Sequence, residues 1–490
     1  MHNNSVHFAT PQFRLLSDSQ LEELHLATLQ ILERTGVAFE YPEAINILDN
    51  AGADVSNPDR VKIPSYIIEQ ALRTAPKAIT LYTREGELAM VLNGTRSHFG
   101  PCFGHAEHLD PYSGKRRPTY IEDISDITRV VDALPNLEFQ WSGSFNTTVP
   151  GSIADKISAL QVLMNSSKPV GCILNDAESA REILEICYII AGSEEQFRER
   201  PFIWGSQEPF SPLVQIEEAL KKSLLFAEKG IPNIIVGCQM AGATTPATWP
   251  AELAIANAEV LSHLVVIQLK YPGAPVIYGN MPSIMDMRTG IYSFGAPELA
   301  FNVAASTELS HYYGLPMNGT AGCTDSDSIN AQTAAEVTYQ ILLAALTGAD
   351  LVDDIGMMYH STTQSPELMV FGNEIIDMIK VVMGGIEINK ETLPLDLIEC
   401  IGPRGNYITE KHTLKHFRKF WAPELFDRSV VKNKHSRNCE DLVKERTIQI
   451  LETHQPKLLP DEMVKELRKR EAVWLKRAGL TECPKRPPHD

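Results

Sequence analysis

The chain is short of basic residues: 44 Lys and Arg stand against 62 Asp and Glu, a formal net charge of −18 over 490 residues. Phosphate backbones are held by clustered Lys and Arg, so nucleic acid is excluded as a partner. Eight cysteines (Cys102, Cys172, Cys187, Cys238, Cys323, Cys400, Cys439, Cys483) form no C-x-x-C pair, which removes the usual zinc spacing and any disulfide framework. Read as reduced, mostly buried thiols, they imply a reducing compartment. No apolar run approaches the ~18–20 residues of a membrane span. The start, MHNNSVHFATPQF, has neither the basic n-region nor the apolar h-region of a secretory signal, so a soluble cytoplasmic protein without a membrane role is expected. Nucleophile motifs are missing too. There is no G-x-S-x-G, which Trp141-Ser142-Gly143-Ser144 only approaches. No P-loop occurs, and Gly100, Gly104 and Gly114 are not in dinucleotide-binding order. Most cofactor-bearing chemistry inside the chain is thereby excluded.

What is present is an ordinary globular composition, 43% hydrophobic and 22% charged. Residues 1–95 read as a helical extension with a small β element. Helices are expected over Ser17–Arg34, Tyr41–Asn50 and Ser65–Thr74, with a hairpin of Ile79–Thr83 and Leu88–Leu92 around Glu85-Gly86. From residue 96 a rhythm sets in. Apolar runs at Ser97–Phe103, Leu137–Ser144, Pro169–Asn175, Phe202–Gln207, Asn233–Gln239, Pro275–Asn280, Leu315–Cys323 and Ala349–Met357 lack clean alternation, as strands buried on both faces do. Helical patterns lie between and after them: Ile121–Ala133, Ile153–Asn165, Ala177–Ala191, Pro212–Lys229, Pro250–Leu269, Pro297–Tyr313, Asn330–Thr347 and Pro366–Met383. An open doubly wound sheet would use the same alternation. The count of eight favours an α/β fold of the (β/α)8 TIM barrel type over 96–385. Residues 386–490 form a mostly helical C-terminal extension, a wrapper or interaction surface. Its helices are expected over Thr413–Phe420, Leu442–Glu452 and Asp461–Arg477, and its last residues, CPKRPPHD, are expected to be disordered.

In such a barrel, binding groups sit just past the strand C-termini. Those positions are His105, Trp141, Asn175, Gln207 with Glu208, Gln239, Asn280, Asp325 with Asp327, and Asp353, Asp354 or His360. Aromatics lie close by in sequence: Phe99, Phe103, Phe145, Trp204, Phe210, Tyr278 and Tyr359. No Lys or Arg stands at these eight ends. Acceptors, carboxylates and aromatic faces suit a cation, and quaternary ammonium groups bind aromatic faces by cation–π attraction. Metal readings are weaker. Asp325-x-Asp327 and Asp353-Asp354 could seat Mg2+, although N-capping of the next helix suits Asp327 better. His105-x-x-His108 with Glu107 is not H-E-x-x-H.

The segment from Thr324 to Glu336 (TDSDSINAQTAAE), that from Leu346 to Gly356 (LTGADLVDDIG), the turn Arg34-Thr35-Gly36-Val37 and the stretch His105 to Tyr120 (HAEHLDPYSGKRRPTY) together resemble the trimethylamine methyltransferase family, over roughly residues 15–450. The resemblance implies a (β/α)8 barrel. It also implies transfer of a methyl group from an N-methylated amine to the Co(I) corrinoid, a cobalamin, of a separate partner protein, with no cofactor bound in this chain. Archaeal trimethylamine enzymes of the family use pyrrolysine. Every position here is a standard residue, so the chain resembles the branch acting on quaternary amines such as glycine betaine, proline betaine, carnitine and γ-butyrobetaine.

A quaternary nitrogen leaves as a neutral amine, so catalysis reduces to positioning. No residue is then expected to act covalently, and His360 and Asp325 are the candidates for orienting substrate. The expected substrate-binding set is Phe99, Trp141, Trp204, Gln207, Glu208, Gln239, Tyr278, Asn280, Asp325, Asn330, Gln332, Tyr359 and His360, with no metal. Carboxylates that over-stabilise the cation would favour the ground state, so an aromatic wall with few carboxylates is expected. The N-terminus of the helix after Asn330 is expected to hold a substrate carboxylate. A metal-dependent TIM-barrel lyase or hydrolase and a non-catalytic betaine-binding barrel are the alternatives. A homo-oligomer is compatible with each.

Overall fold

The computed structural model describes residues 12–143, 147–428 and 437–488. Eight short strands form the central sheet: β1 (His98–Pro101), β2 (Gln140–Ser142), β3 (Val170–Cys172), β4 (Ile203–Gln207), β5 (Asn233–Gly237), β6 (Val276–Asn280), β7 (Met317–Thr320) and β8 (Leu351–Ile355). Each pairs in parallel with its neighbour, and β8 pairs with β1. The remaining seam is closed by a parallel bridge from Phe99 to Leu137 and by the Glu138 amide, which donates to the Phe99 carbonyl at 2.6 Å. The alternation therefore resolves as a barrel rather than an open sheet.

The helices outside it are α1 (Ile121–Ala133), α2 (Gly151–Asn165), α3 (Ala177–Ala191), α4 (Glu217–Lys229), α5 (Trp249–Lys270), α6 (Pro297–Tyr313), α7 (Ala331–Thr347) and α8 (Pro366–Met383). Local chemistry fixes their ends. Pro250, Pro297 and Pro366 stand in first turns, where the missing N–H costs nothing. Left-handed Gly192, Gly230, Gly314 and Gly348 close four C-termini. Helix α4 starts five residues later than its sequence pattern predicts. Val214–Gln215 is drawn instead into a parallel pair with Ala38–Phe39 of the N-terminal extension.

Strand parity decides what faces the barrel interior. Phe139, Trp141, Trp204, Ile234, Val236, Ile277 and Leu351 share one apolar cluster with Ile79, Leu81, Met90 and Leu92 of the N-terminal hairpin. That hairpin (Ile79–Tyr82 with Leu88–Leu92) is docked at the N-terminal ends of the strands. The Tyr82 amide donates to Pro201, the Arg84 amide to Ser167 and the Gly94 amide to Asp350 Oδ1. The small β element is thus a plug in the barrel floor.

The C-terminal extension wraps the outside. Helix Cys439–Thr453 lies along α8 and α1, and helix Asp461–Arg477 along α2 and α3. A helix over Leu395–Ile401 lies in the stretch that reads as turns, and no residue from 384 to 424 is buried. As far as it is described, to residue 488, the tail departs from the disorder predicted for it. Arg486 donates to Asp123 at 2.9 Å and to Asp126 at 2.6 Å, joining Arg117 and Arg129, which already pair with these carboxylates.

Candidate active site

At the strand C-termini a small cavity opens between Phe103, Trp141, Ile173, Ser206, Glu208, Val236, Met281, Asn318, Thr320, Asp353 and Asp354, about 300 Å³ of space between atoms. Most of these are the inward members of their strands: Ser206 follows Trp204 by two, Val236 follows Ile234, Thr320 follows Asn318, and Asp353 follows Leu351. Asp354 should then point outward. Its φ of +73°, together with the register shift between Val352 and Ile355, breaks the alternation and returns its side chain to the cavity. A non-glycine residue in the left-handed region is strained, and such strain gathers at functional sites.

Three carboxylates therefore share one small space, where the sequence led us to expect few. Asn318 Nδ2 donates to Asp353 Oδ2 at 3.2 Å. Asp354 is 2% exposed, and among the described residues its Oδ1 has no hydrogen-bond partner. Burial, then the charge of Asp354, pushes the Asp353 carboxyl well above the usual range. Burial raises Asp354 to about 7, a Thr320 hydrogen bond pulling it back and Glu208 pushing it further up. Glu208 is open to the cavity but ringed by protein, and this desolvation raises it as well. Its counter-charge is Lys222, on α4, whose Nζ donates to the Leu174 carbonyl at 2.5 Å. Burying like charges together is what holds protons on this cluster at neutral pH. Cys238, next to Glu208, is pushed up to about 12 mainly by burial and is no thiolate. Among the described residues no group of three or more His, Cys, Asp or Glu side chains is arranged to hold a metal ion.

The segments that follow β7 and β8 on the same face of the barrel carry Asp325, Tyr359 and His360. His360 Nδ1 lies 3.1 Å from Asp325 Oδ1, which also accepts from the Phe294 amide at 2.9 Å, while Ser293 Oγ donates to Oδ2. The imidazole remains about one-third exposed. Tyr359, His360 and Ser361 are all left-handed, with φ of +50°, +55° and +62°. The Arg116 guanidinium stacks 3.9 Å above the Tyr359 ring.

Of the sequence candidates, Trp141, Glu208, Asp353 and Asp354 meet in the cavity, while Asp325 and His360 pair with each other in the segments after β7 and β8 and do not line it. Trp204 lies deeper, edge-on to Trp141 at 5.6 Å between centroids. The others are turned elsewhere. Phe99 and Tyr278 belong to the apolar layer between strands and helices, and the Tyr278 hydroxyl donates to Asn257 on α5. Asn280 reaches Ser306 on α6. Gln239 donates to Glu259 on α5 at 2.5 Å. Gln207 alternates outward from Ser206. Asn175 donates to the Gly151 carbonyl and is exposed. His105 is buried against Phe103, pushed down to about 4 by burial, and Phe210 is exposed. Asn330, rather than Asp327, caps α7, accepting from the amides of Gln332 and Thr333, and Gln332 turns back to Glu336. Two leading amides of α7 are therefore already taken by the Asn330 cap. Phe145 lies outside the described residues.

Asn318, Thr320, Ser206 and Lys222 escaped the sequence reading. The first three carried a signal, since a polar residue inside a strand buried on both faces needs a partner. Lys222 carried none, being one lysine among several on an amphipathic helix. A larger groove, about 1980 Å³, runs between helix Asp18–Gln30, α5 and α6 and is lined mostly by aliphatic side chains. It lies outside the barrel, far from the converging carboxylates.

The family model described as trimethylamine methyltransferase (MTTB) matches residues 2–477. Trimethylamine methyltransferase MttB of Desulfitobacterium hafniense (strain DSM 10664 / DCB-2) is 34% identical over 456 residues, 92% of each chain. Glycine betaine methyltransferase of D. hafniense (strain Y51) is 33% identical over 426 residues, 86% of this chain and 88% of that one. Among solved structures, the Methanosarcina barkeri monomethylamine methyltransferase (MtmB) superposes with a TM-score of 0.51 at 11% identity, covering 96% of this chain and 90% of its own. That likeness speaks for the barrel fold.

Proposed function

Because the chain belongs to the trimethylamine methyltransferase family, we propose that it takes a methyl group from a quaternary amine, of the class of glycine betaine, proline betaine, carnitine and γ-butyrobetaine, and delivers it to the Co(I) corrinoid of a partner protein. The observation that carries this reading is the convergence of Glu208, Asp353 and Asp354 with the Trp141 and Phe103 rings in one small cavity at the barrel mouth. Carboxylates supply Coulomb attraction for an onium ion and the rings supply cation–π contact. A cavity of this size cannot enclose a corrinoid macrocycle, so the acceptor belongs outside the mouth.

The chemistry that a Co(I) corrinoid supplies is an electron pair for the methyl carbon. The N–C bond breaks with its own pair left on nitrogen, and the amine departs uncharged. No side chain needs to protonate it. The work of this chain is to hold the ammonium still, to aim one N–CH3 bond at the mouth and to keep water away. Trp141, Phe103, Ile173, Val236 and Met281 form the dry wall. The carboxylates orient the charge, and the proton retained by the Asp353–Asp354 pair keeps them from trapping the substrate too deeply. His360, held by Asp325 on the same face of the barrel, is the candidate partner for the far end of a longer substrate. Eight free cysteines, four of them buried, support a cytoplasmic setting.

The test is a panel assay: purified protein with Co(I) cobalamin and, in turn, glycine betaine, proline betaine, carnitine, γ-butyrobetaine, choline and trimethylamine, with cobalamin methylation followed by absorbance. Methylation with at least one quaternary amine is expected. Silence across the panel sinks the reading.

A further inference from the structure

We infer that residues 384–420 form an arm by which the chain binds a second copy of itself. The arm leaves the C-terminal end of α8 and comes back to the middle of that helix. At the return, Trp421 Nε1 donates to Asp377 Oδ2 at 2.8 Å, and the amides of Glu424 and Leu425 donate to Glu374 Oε1 at 2.8 and 3.2 Å. Within the arm the ordering contacts are polar. Asn389 Oδ1 accepts from the amides of Glu391 and Thr392, and the Glu391 carboxylate faces Lys415 and His416. These contacts bring together the short helices Leu395–Ile401 and Lys411–His416, yet no residue from 384 to 424 is buried.

The arm is nonetheless rich in apolar side chains. Twelve of the 23 large apolar side chains exposed among the described residues fall between 381 and 420, with Ile386 at 89% and Phe420 at 74%. Single exposed apolar residues scattered over a surface need no explanation, whereas a concentration of them marks an interface. Holding a segment in one conformation costs entropy that burial has to offset, and the arm has no core of its own to do so. A specific interface takes about 20–30 residues a side, a number this arm supplies alone.

Position and charge choose the occupant. Helix α8 runs from the strand C-termini to the barrel floor, where Lys380 donates to Asn136, just ahead of β2. The arm therefore leaves the barrel at the end opposite the cavity, away from a methyl acceptor at the mouth; this one exclusion rests on the proposed reaction. An acceptor must also let go in every cycle, and interfaces this apolar belong to permanent assemblies. Permanent assemblies are mostly symmetric associations of one chain. Residues 384–420 carry six Lys and Arg against five Asp and Glu, in a chain of net charge −18. Two such acidic bodies repel each other. The arm can approach one, because Lys411, Lys415, Arg418 and Lys419 are interleaved with the exposed Leu414, Phe417 and Phe420. An anionic lipid surface would meet the same repulsion from the rest of the chain.

Sedimentation velocity of the full chain, from nanomolar to micromolar concentration, tests this. Two or more copies are expected to travel together at micromolar concentration. Ile398→Asp and Phe420→Asp, each at an exposed position, are expected to weaken assembly at least about tenfold while methyl transfer per chain is retained. Should neither variant fold, lysine cross-linking of the native chain replaces them: links from Lys411, Lys415 or Lys419 are expected in the cross-linked dimer and not in the monomer band. A native chain that is monomeric at micromolar concentration overturns the inference, and flotation of that monomer with phosphatidylserine vesicles assigns the arm to a membrane instead. Assembly undiminished in the folded variants, or a dimer linked only through other lysines, overturns it as well. Arm-dependent assembly without methyl transfer from any amine leaves this inference standing and removes the proposed reaction. Transfer by a monomeric native chain does the reverse.

Discussion

Asp353 and Asp354 are consecutive residues of one strand, yet both side chains reach the same cavity, because Asp354 is held at φ +73°. Two acids side by side on one face of a barrel strand are a costly arrangement, and the cost is measurable.

The left-handed backbone sets the first prediction. At position 354, glycine adopts the native φ freely and alanine does not. Asp354→Gly should therefore be more stable than Asp354→Ala by about 1–2 kcal/mol. Both should lose cation affinity. Urea unfolding with parallel ligand titration checks this, and equal stability of the two variants would show that the backbone there relaxes.

Stability should fall as pH rises from about 6.5 to 8. In the folded chain burial raises Glu252 to about 8 and Asp354 to about 7, whereas both are ionised in the unfolded chain above the ordinary carboxylate range. Over this window these two carboxyls release protons in the folded state that the unfolded chain has already lost, which outweighs the last protons leaving the unfolded histidines, so the slope of unfolding free energy against pH is negative. The expected loss is about 1–2 kcal/mol. Below the window the buried histidines oppose it: His105 and His108 are pushed down to about 4 and His263 to about 3, chiefly by burial, and they add stability as pH rises toward 6.5. Unfolding midpoints measured across this range should therefore pass through a maximum on the acid side of neutrality.

Cation binding should expel a proton. An ammonium ion in the cavity favours the ionised form of the Asp353–Asp354 pair, which the empty cavity keeps partly protonated. Calorimetry in buffers of different ionisation enthalpy should show release of up to about one proton near pH 7. The release should vanish well above pH 8, and in Asp354→Asn it should be reduced at every pH.

Gly171 fixes the cavity wall. A Cβ placed there would collide with the Trp141 ring. Gly171→Ala should cost about 1–3 kcal/mol by overpacking and weaken cation binding, because the indole that lines the cavity must shift. Tryptophan emission and ligand titration of the variant report on both. An unchanged affinity would remove Trp141 from the binding wall.

The architecture was legible in the sequence to a degree the site was not. The eight strands and the spans of α1, α3, α6 and α8 follow from apolar runs punctuated by Gly and Pro. Inside a barrel, however, both faces of each strand are apolar, so sequence alternation carries no mark of which face is which. That is why Phe99 and Tyr278 read as pocket aromatics though they face the helices, while Trp141 and Trp204 face the interior. The two acids of β8 were visible as strand-end residues, but their meeting depends on one backbone torsion that no pattern announces. Gln239 and Asn280 were visible as amides, and only the packing of α5 and α6 shows that their N–H groups are turned to Glu259 and Ser306.

The hairpin that plugs the barrel floor gives the molecule the topology of a well rather than a tunnel. Whatever enters the cavity has to leave by the way it came. A macromolecule collecting a methyl group at the rim would stand in that single doorway, so the spent amine could not depart, nor a fresh one arrive, until the collector let go. Turnover would then be paced by an alternation of guests at one door, and excess collector should inhibit.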